Sequence, residues 1–156
     1  MVVRNEQQAL CVAVEMEKRA IRVYERALML VTDPAVEAGI REILADEKTH
    51  LQRFSDMKCA CNVDPREDQL LIQAMGADVL FPGGVMELAQ AKGLSTLKGL
   101  YQFAAESESD AMVKYADFAM KCEKEAVRDA FMSIAQEEAK HFAHLRDRLA
   151  EIEAQG

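Results

Sequence analysis

Tryptophan is absent from this 156-residue chain, glycine (7) and proline (3) are scarce, and only 6% of the residues are aromatic. What dominates instead is Ala, Glu, Leu, Lys, Arg and Met, the good helix formers, so the composition predicts an all-α fold. A basic excess is missing too: 19 Lys and Arg against 27 Asp and Glu leave a net charge of -8. An acidic chain without a basic patch is repelled by phosphate, which excludes nucleic acid as a partner. No apolar run approaches the roughly 18–20 residues that span a bilayer, so no membrane partner is expected. Met1-Val2-Val3-Arg4-Asn5-Glu6 lacks the apolar core of a signal peptide, and a cytoplasmic location follows by default. Paired Cys-x-x-Cys spacings of a zinc or iron–sulfur site are also missing. Of Cys11, Cys59, Cys61 and Cys122, only Cys59-Ala-Cys61 form a close pair, read as two reduced thiols at a helix end.

The length fits one domain, spanning 1–156, and suffices for a core without disulfide or metal staples. Four segments carry apolar residues at spacings of three and four, the period of a helix with one buried face. The first runs from about 6 to 31 through Leu10, Val14, Ile21 and Leu28, until Thr32-Asp33-Pro34 breaks it. Asp33 suits the cap and Pro34 the first position of the next helix, about 35–58, with Val36, Ile40, Leu44 and Phe54. The third, about 95–122, holds Leu97, Leu100, Tyr101 and Ala104; the fourth, about 126–152, holds Val127, Phe131, Ile134 and Leu145. Short connections make hairpin 1 (about 6–58) and hairpin 2 (about 95–152). The stretch of about 59–94, with a short helix expected at 65–77, is long enough to cross over the bundle. Two antiparallel hairpins joined by a long crossover is the ferritin-like four-helix bundle topology.

Displaced by 91 residues, the sequence superposes on itself without a gap: Glu17 on Glu108, Tyr24 on Tyr115, Met29 on Met120, Glu47 on Glu138, His50 on His141. Two of the three histidines and two of the three tyrosines fall into register. Each half thus carries a Glu, a Tyr nearly two turns on, about 10 Å along the axis and on the same side, and then Glu-x-x-His, whose two side chains share a helix face. These Glu and His residues interrupt the apolar stripes. A carboxylate on a dry face is costly unless paired or bound to a metal. Two divalent cations would neutralise Glu17, Glu47, Glu108 and Glu138, and two neutral imidazoles, His50 and His141, complete a set of oxygen and nitrogen ligands that suits iron or manganese. One Glu from each of two helices and Glu-x-x-His from each of the other two is the di-iron carboxylate pattern.

Through Glu17 with Tyr24, Glu47-Lys48-Thr49-His50, Glu108 with Tyr115, and Glu138-Ala139-Lys140-His141, the chain resembles the rubrerythrin-like branch of the ferritin-like superfamily. The resemblance implies that Glu47 and Glu138 bridge two iron ions, that Glu17 and Glu108 are terminal ligands, and that each histidine binds one metal. It implies reduction of hydrogen peroxide or O₂ by Fe(II); iron binding or storage without turnover is the alternative, and a homodimer is the expected assembly. The chain departs from the family in two ways. No rubredoxin-type Cys-x-x-Cys module lies within it, so a separate electron-donor protein is expected. Where rubrerythrins carry a further Glu, three residues after the third-helix ligand, stands Ala111.

Tyr24 and Tyr115 share the ligand face and are expected beside the site, bonding its carboxylates or quenching radicals. His144, facing Arg53 across the repeat, reads as a surface residue, and Glu15 and Glu106 as solvated. Asp46 and Glu137 directly precede ligands; exposed charge is the expected reading, orientation of a histidine on another helix the alternative. The nine methionines read as core filler.

Overall fold

The computed structural model describes residues 3–59, 66, 94 and 96–155. Among these residues every regular element is helical: α1 (Glu6–Leu30), α2 (Pro34–Cys59), α3 (Leu97–Ala119) and α4 (Glu125–Gln155). No described helix is long and apolar enough to cross a membrane. Apart from Cys59, which ends α2, and from Arg66 and Leu94, the connection expected over 59–94 and its short helix lie outside the described residues.

Local chemistry sets the helix starts. Asn5 caps α1, its side chain accepting from the Gln8 N–H at 2.9 Å. Asp33 accepts from the Ala35 N–H at 2.9 Å, and Pro34 opens α2, where its missing N–H costs nothing. Thr96 caps α3 through the Gly99 N–H at 3.0 Å. Each cap satisfies a donor that the first turn leaves unpaired.

Contacts between helices fix their directions. Lys48 meets Glu25 while His50 meets Glu17, so α2 runs against α1. Glu108 meets His141 and Tyr101 meets Arg148, so α4 runs against α3. Tyr115 bonds Glu17 and Tyr24 packs on Phe103, which sets α1 against α3. His50 bonds Glu137 and His141 meets Asp46, which sets α2 against α4. The result is a helical bundle in which α2 and α3 run parallel.

Its core is divided. Leu10, Ala13, Val14, Phe54, Tyr115, Phe118, Phe131 and Ile134 form one apolar cluster. Ile21, Tyr24, Val36, Ile40, Leu44, Leu100, Ala104 and Leu145 form another. Aromatic rings dominate the first, with Phe54, Tyr115, Phe118 and Phe131 at centroid distances of 5.0–6.3 Å. Glu17 follows Met16 of the first cluster and precedes Ala20 of the second, so the acidic residues form a polar layer between them. The methionines only partly fill the core. Met16 is buried, but Met29 and Met120, at repeat-related helix ends, are 84% and 85% exposed.

Candidate metal centre

Among the described residues, the buried polar or charged ones are Glu17, Glu47, His50, Glu108 and Glu138. All five lie on the apolar stripes, so the helical period that builds the core also carries them inward. His141, the sixth expected ligand, is half-buried, with 34% of its side chain exposed. The imidazoles of His50 and His141, repeat mates on α2 and α4, stack 6.4 Å apart at an interplanar angle of 22°.

Two groups of atoms converge closely enough to hold a cation each: Glu17, His50 and Glu138, and Glu108, Glu138 and His141, with ligand atoms within 4.8 Å of one another in each group. Glu138 belongs to both, as expected of a bridging carboxylate. Glu47 belongs to neither in this conformation. It is buried beside Glu17, whose carboxyl feels it strongly.

Four buried polar atoms have no hydrogen-bond partner: Glu17 Oε2, His50 Nδ1, Glu108 Oε2 and Glu138 Oε1. One comes from each helix. An unsatisfied buried polar group costs about 1–3 kcal/mol, a cost that a bound cation could relieve at these four atoms. His50 Nδ1 and Glu138 Oε1 lie 2.7 Å apart without the alignment of a hydrogen bond. With His50 protonated this is an ion pair; with the proton gone, the same two atoms are close enough to serve one cation. The donors are carboxylate oxygens and imidazole nitrogens, which fits iron or manganese.

Electrostatics tell the same story. Burial, then the neighbouring Glu47 and Glu138, raise the Glu17 carboxyl well above the ordinary range, against the opposing hydrogen bond from Tyr115. Burial and Glu47 raise Glu138 despite His50. For His50, burial pulls downward but is outweighed by Glu138, Glu47 and Glu137, and the imidazole is pushed up to about 9. The layer therefore holds protons where cations would replace them.

Around these groups lies a ring of positioning contacts. Tyr115 donates its hydroxyl to Glu17 Oε1 at 2.6 Å, the placement expected of it. Tyr24 is equally buried, edge-on to Phe103 and beside the same carboxylates, which with burial raise its phenol well above the ordinary value. His50 donates Nε2–H to Glu137 at 3.1 Å, which points Nδ1 inward. Asp46 approaches His141 Nε2 at 3.5 Å in the same sense. Glu137 and Asp46 are part-exposed, yet each also serves a histidine of another helix. Their register in the repeat is the signal that marks them, since one acid precedes Glu-x-x-His in both halves. Arg53, which grips Glu137 at 3.1 Å and reaches Ser133 Oγ at 3.4 Å, was visible only as a break in the repeat. His144 is exposed as expected and accepts from Arg148 Nε at 3.0 Å. Glu106 is exposed, whereas Glu15 is half-buried against Arg19 and Arg22.

A cavity of about 180 Å³ opens onto the carboxylates, lined by Met16, Ala20, Tyr24 and Tyr115, and by Phe103 and Ala111 of α3. It has the size and mixed lining for a small neutral molecule. Compared with protein-family models, curated proteins and solved structures, the chain finds no match.

Proposed function

We propose that this chain is a ferritin-like di-metal carboxylate protein that holds two iron ions and reduces hydrogen peroxide or O₂ with electrons from a separate donor protein. The observation that carries this reading is the convergence of four unpartnered buried atoms, one from each helix, on two groups that share Glu138. Four buried carboxylates of like charge are reconciled either by protons, as in the metal-free chain, or by two divalent cations. The parallel run of α2 and α3 supports the ferritin-like arrangement, because the chain then has to return along the bundle between them.

Iron bound there would supply two one-electron reductants, so that an O–O bond is reduced by two electrons. The protein's own part is positional. Glu137 holds the Nε2 proton of His50 and leaves Nδ1 to face the centre. Tyr115, kept as a neutral phenol by burial and by Glu17, fixes that carboxylate's orientation. The cavity beside Tyr24, Phe103 and Ala111 gives a small oxidant access to the carboxylates.

The test is anaerobic loading with Fe(II), a metal count by elemental analysis, and addition of peroxide. Two irons per chain and oxidation faster than that of free Fe(II) are expected. No bound metal, or oxidation at the free-ion rate, would sink the reading.

A further inference from the structure

We propose that divalent cations enter and leave through the groove between α2 and α4 beside His141, and that the position formed by Glu108, Glu138 and His141 is the exchangeable one. This rests on the di-metal reading and adds a direction of traffic to it.

The two halves of the centre are not equally enclosed. His50 is 2% exposed and His141 is 34% exposed. The anchors differ as well. Glu137 holds His50 at 3.1 Å and is itself gripped by Arg53. Asp46 stands 3.5 Å from His141, and the residue in Arg53's place in the second half is His144, which bonds Arg148 instead. One imidazole is buried and closely anchored; the other is half-exposed and more loosely held.

Beside His141 lies a groove of about 50 Å³, with Gly39, Glu42 and Asp46 on one wall and His144 and Arg148 on the other. At about 30 Å³ per water molecule, it takes one or two waters, enough for an ion shedding its shell. Glu108 also lines it, 4% exposed, with Oε2 unpartnered. The groove thus leads from solvent past two carboxylates to a buried orphan acceptor. The larger cavity on the α1–α3 side reaches the same Glu108 past Phe103, Glu106 and Asp110, so it carries acidic side chains too. What sets the groove apart is the half-exposed ligand histidine within it, since His141 lines the groove and not the larger cavity.

Arg148 is the counterweight. Its guanidinium lies 5.9 Å from the Tyr101 ring centroid and bonds that hydroxyl at 3.2 Å, which sets a positive charge at the groove's mouth. Glu42 and Arg148 therefore act on an entering cation with opposite signs. Both are exposed, and neither is placed among the ligands or their anchors.

Anaerobic stopped-flow uptake of Co(II) by the whole chain, at low ionic strength, tests this. Electrostatic focusing changes on-rates by about tenfold or more, so Glu42→Gln should slow uptake about tenfold and Arg148→Gln should quicken it. Both should keep two Co(II) per chain, and added salt should shrink both effects. Challenge of the loaded protein with a chelator should remove one ion quickly and the other slowly, the fast phase quickening further in Arg148→Gln. Two bound ions with rates unmoved by either substitution, or moved in the same direction by both, would overturn the route and leave the di-metal reading standing. Fewer than two ions in the unaltered protein would overturn both.

Discussion

Glu137 shows what a single side chain contributes here. It takes no part in either candidate cation group, yet it accepts the Nε2 proton of His50 while Arg53 fixes it from outside. Burial works to raise its carboxyl, but the bonds from His50 and Arg53 prevail and lower it, so it is a dependable acceptor at neutral pH. Replacement by Gln keeps the shape and removes the charge. Loss of such an anchor costs about 10–100-fold in metal affinity; competition against a chelator of known affinity should show that loss in Glu137→Gln with two ions still bound at saturation. The same residues set a pH dependence. In the metal-free protein His50 is pushed from 6.5 up to about 9. Its stabilising contribution is fully present below pH 6.5 and is lost as pH rises through 9. Glu17 and Glu138 are raised as well, so their protonated forms also favour the fold and their contributions fade in the same direction. Melting temperatures of metal-free protein should fall from pH 6.5 to 9, while those of loaded protein stay nearly level because cations have displaced the protons. A metal-free profile that rises across this window would contradict the assignment.

At the scale of the helix, the polar layer is placed by backbone geometry that the sequence largely discloses. Asp33-Pro34 marks the start of α2 because capping chemistry is local, and the observed helix begins at Pro34. Thr96 does the same for α3, one residue inside the expected start near 95. Thr96→Ala should lower unfolding stability by about 1 kcal/mol, measured by urea denaturation, with metal content unchanged since the cap lies more than three turns from Glu108. Glu17, His50, Glu108 and Glu138 were legible for a similar reason. Helical period alone decides that they face inward, and the 91-residue repeat doubles the signal. What period cannot decide is contact across helices. Asp46 and Glu137 sit about 100° round the helix from the adjacent Glu, at the margin of the buried face, and only the packing of α2 against α4 turns them toward the opposite histidines. The exposure of Met29 and Met120 was hidden too, because their register in the repeat is equally satisfied at a solvated helix end.

For the whole molecule, the price of the centre is a layer of unsatisfied acceptors between two apolar clusters, and Glu138 stands at its middle. Cations that bind the folded chain alone stabilise it by mass action, about 2.7 kcal/mol per site at a hundredfold excess over the dissociation constant. Glu138→Gln separates the two sides of this balance. It removes a buried charge from beside Glu17 and Glu47 while keeping the volume, so above pH 9, where His50 has lost the proton that pairs it with Glu138, the metal-free variant should be more stable than the unaltered chain, by about 1 kcal/mol. It also removes the only residue common to both cation groups. Elemental analysis should therefore show both ions lost together, whereas Glu17→Gln and Glu108→Gln should each weaken one position. Added Fe(II) should raise the melting temperature of the unaltered chain and leave that of Glu138→Gln where it was. A variant that loses stability without metal, yet still holds two ions, would mean that Glu138 serves the core and not the centre.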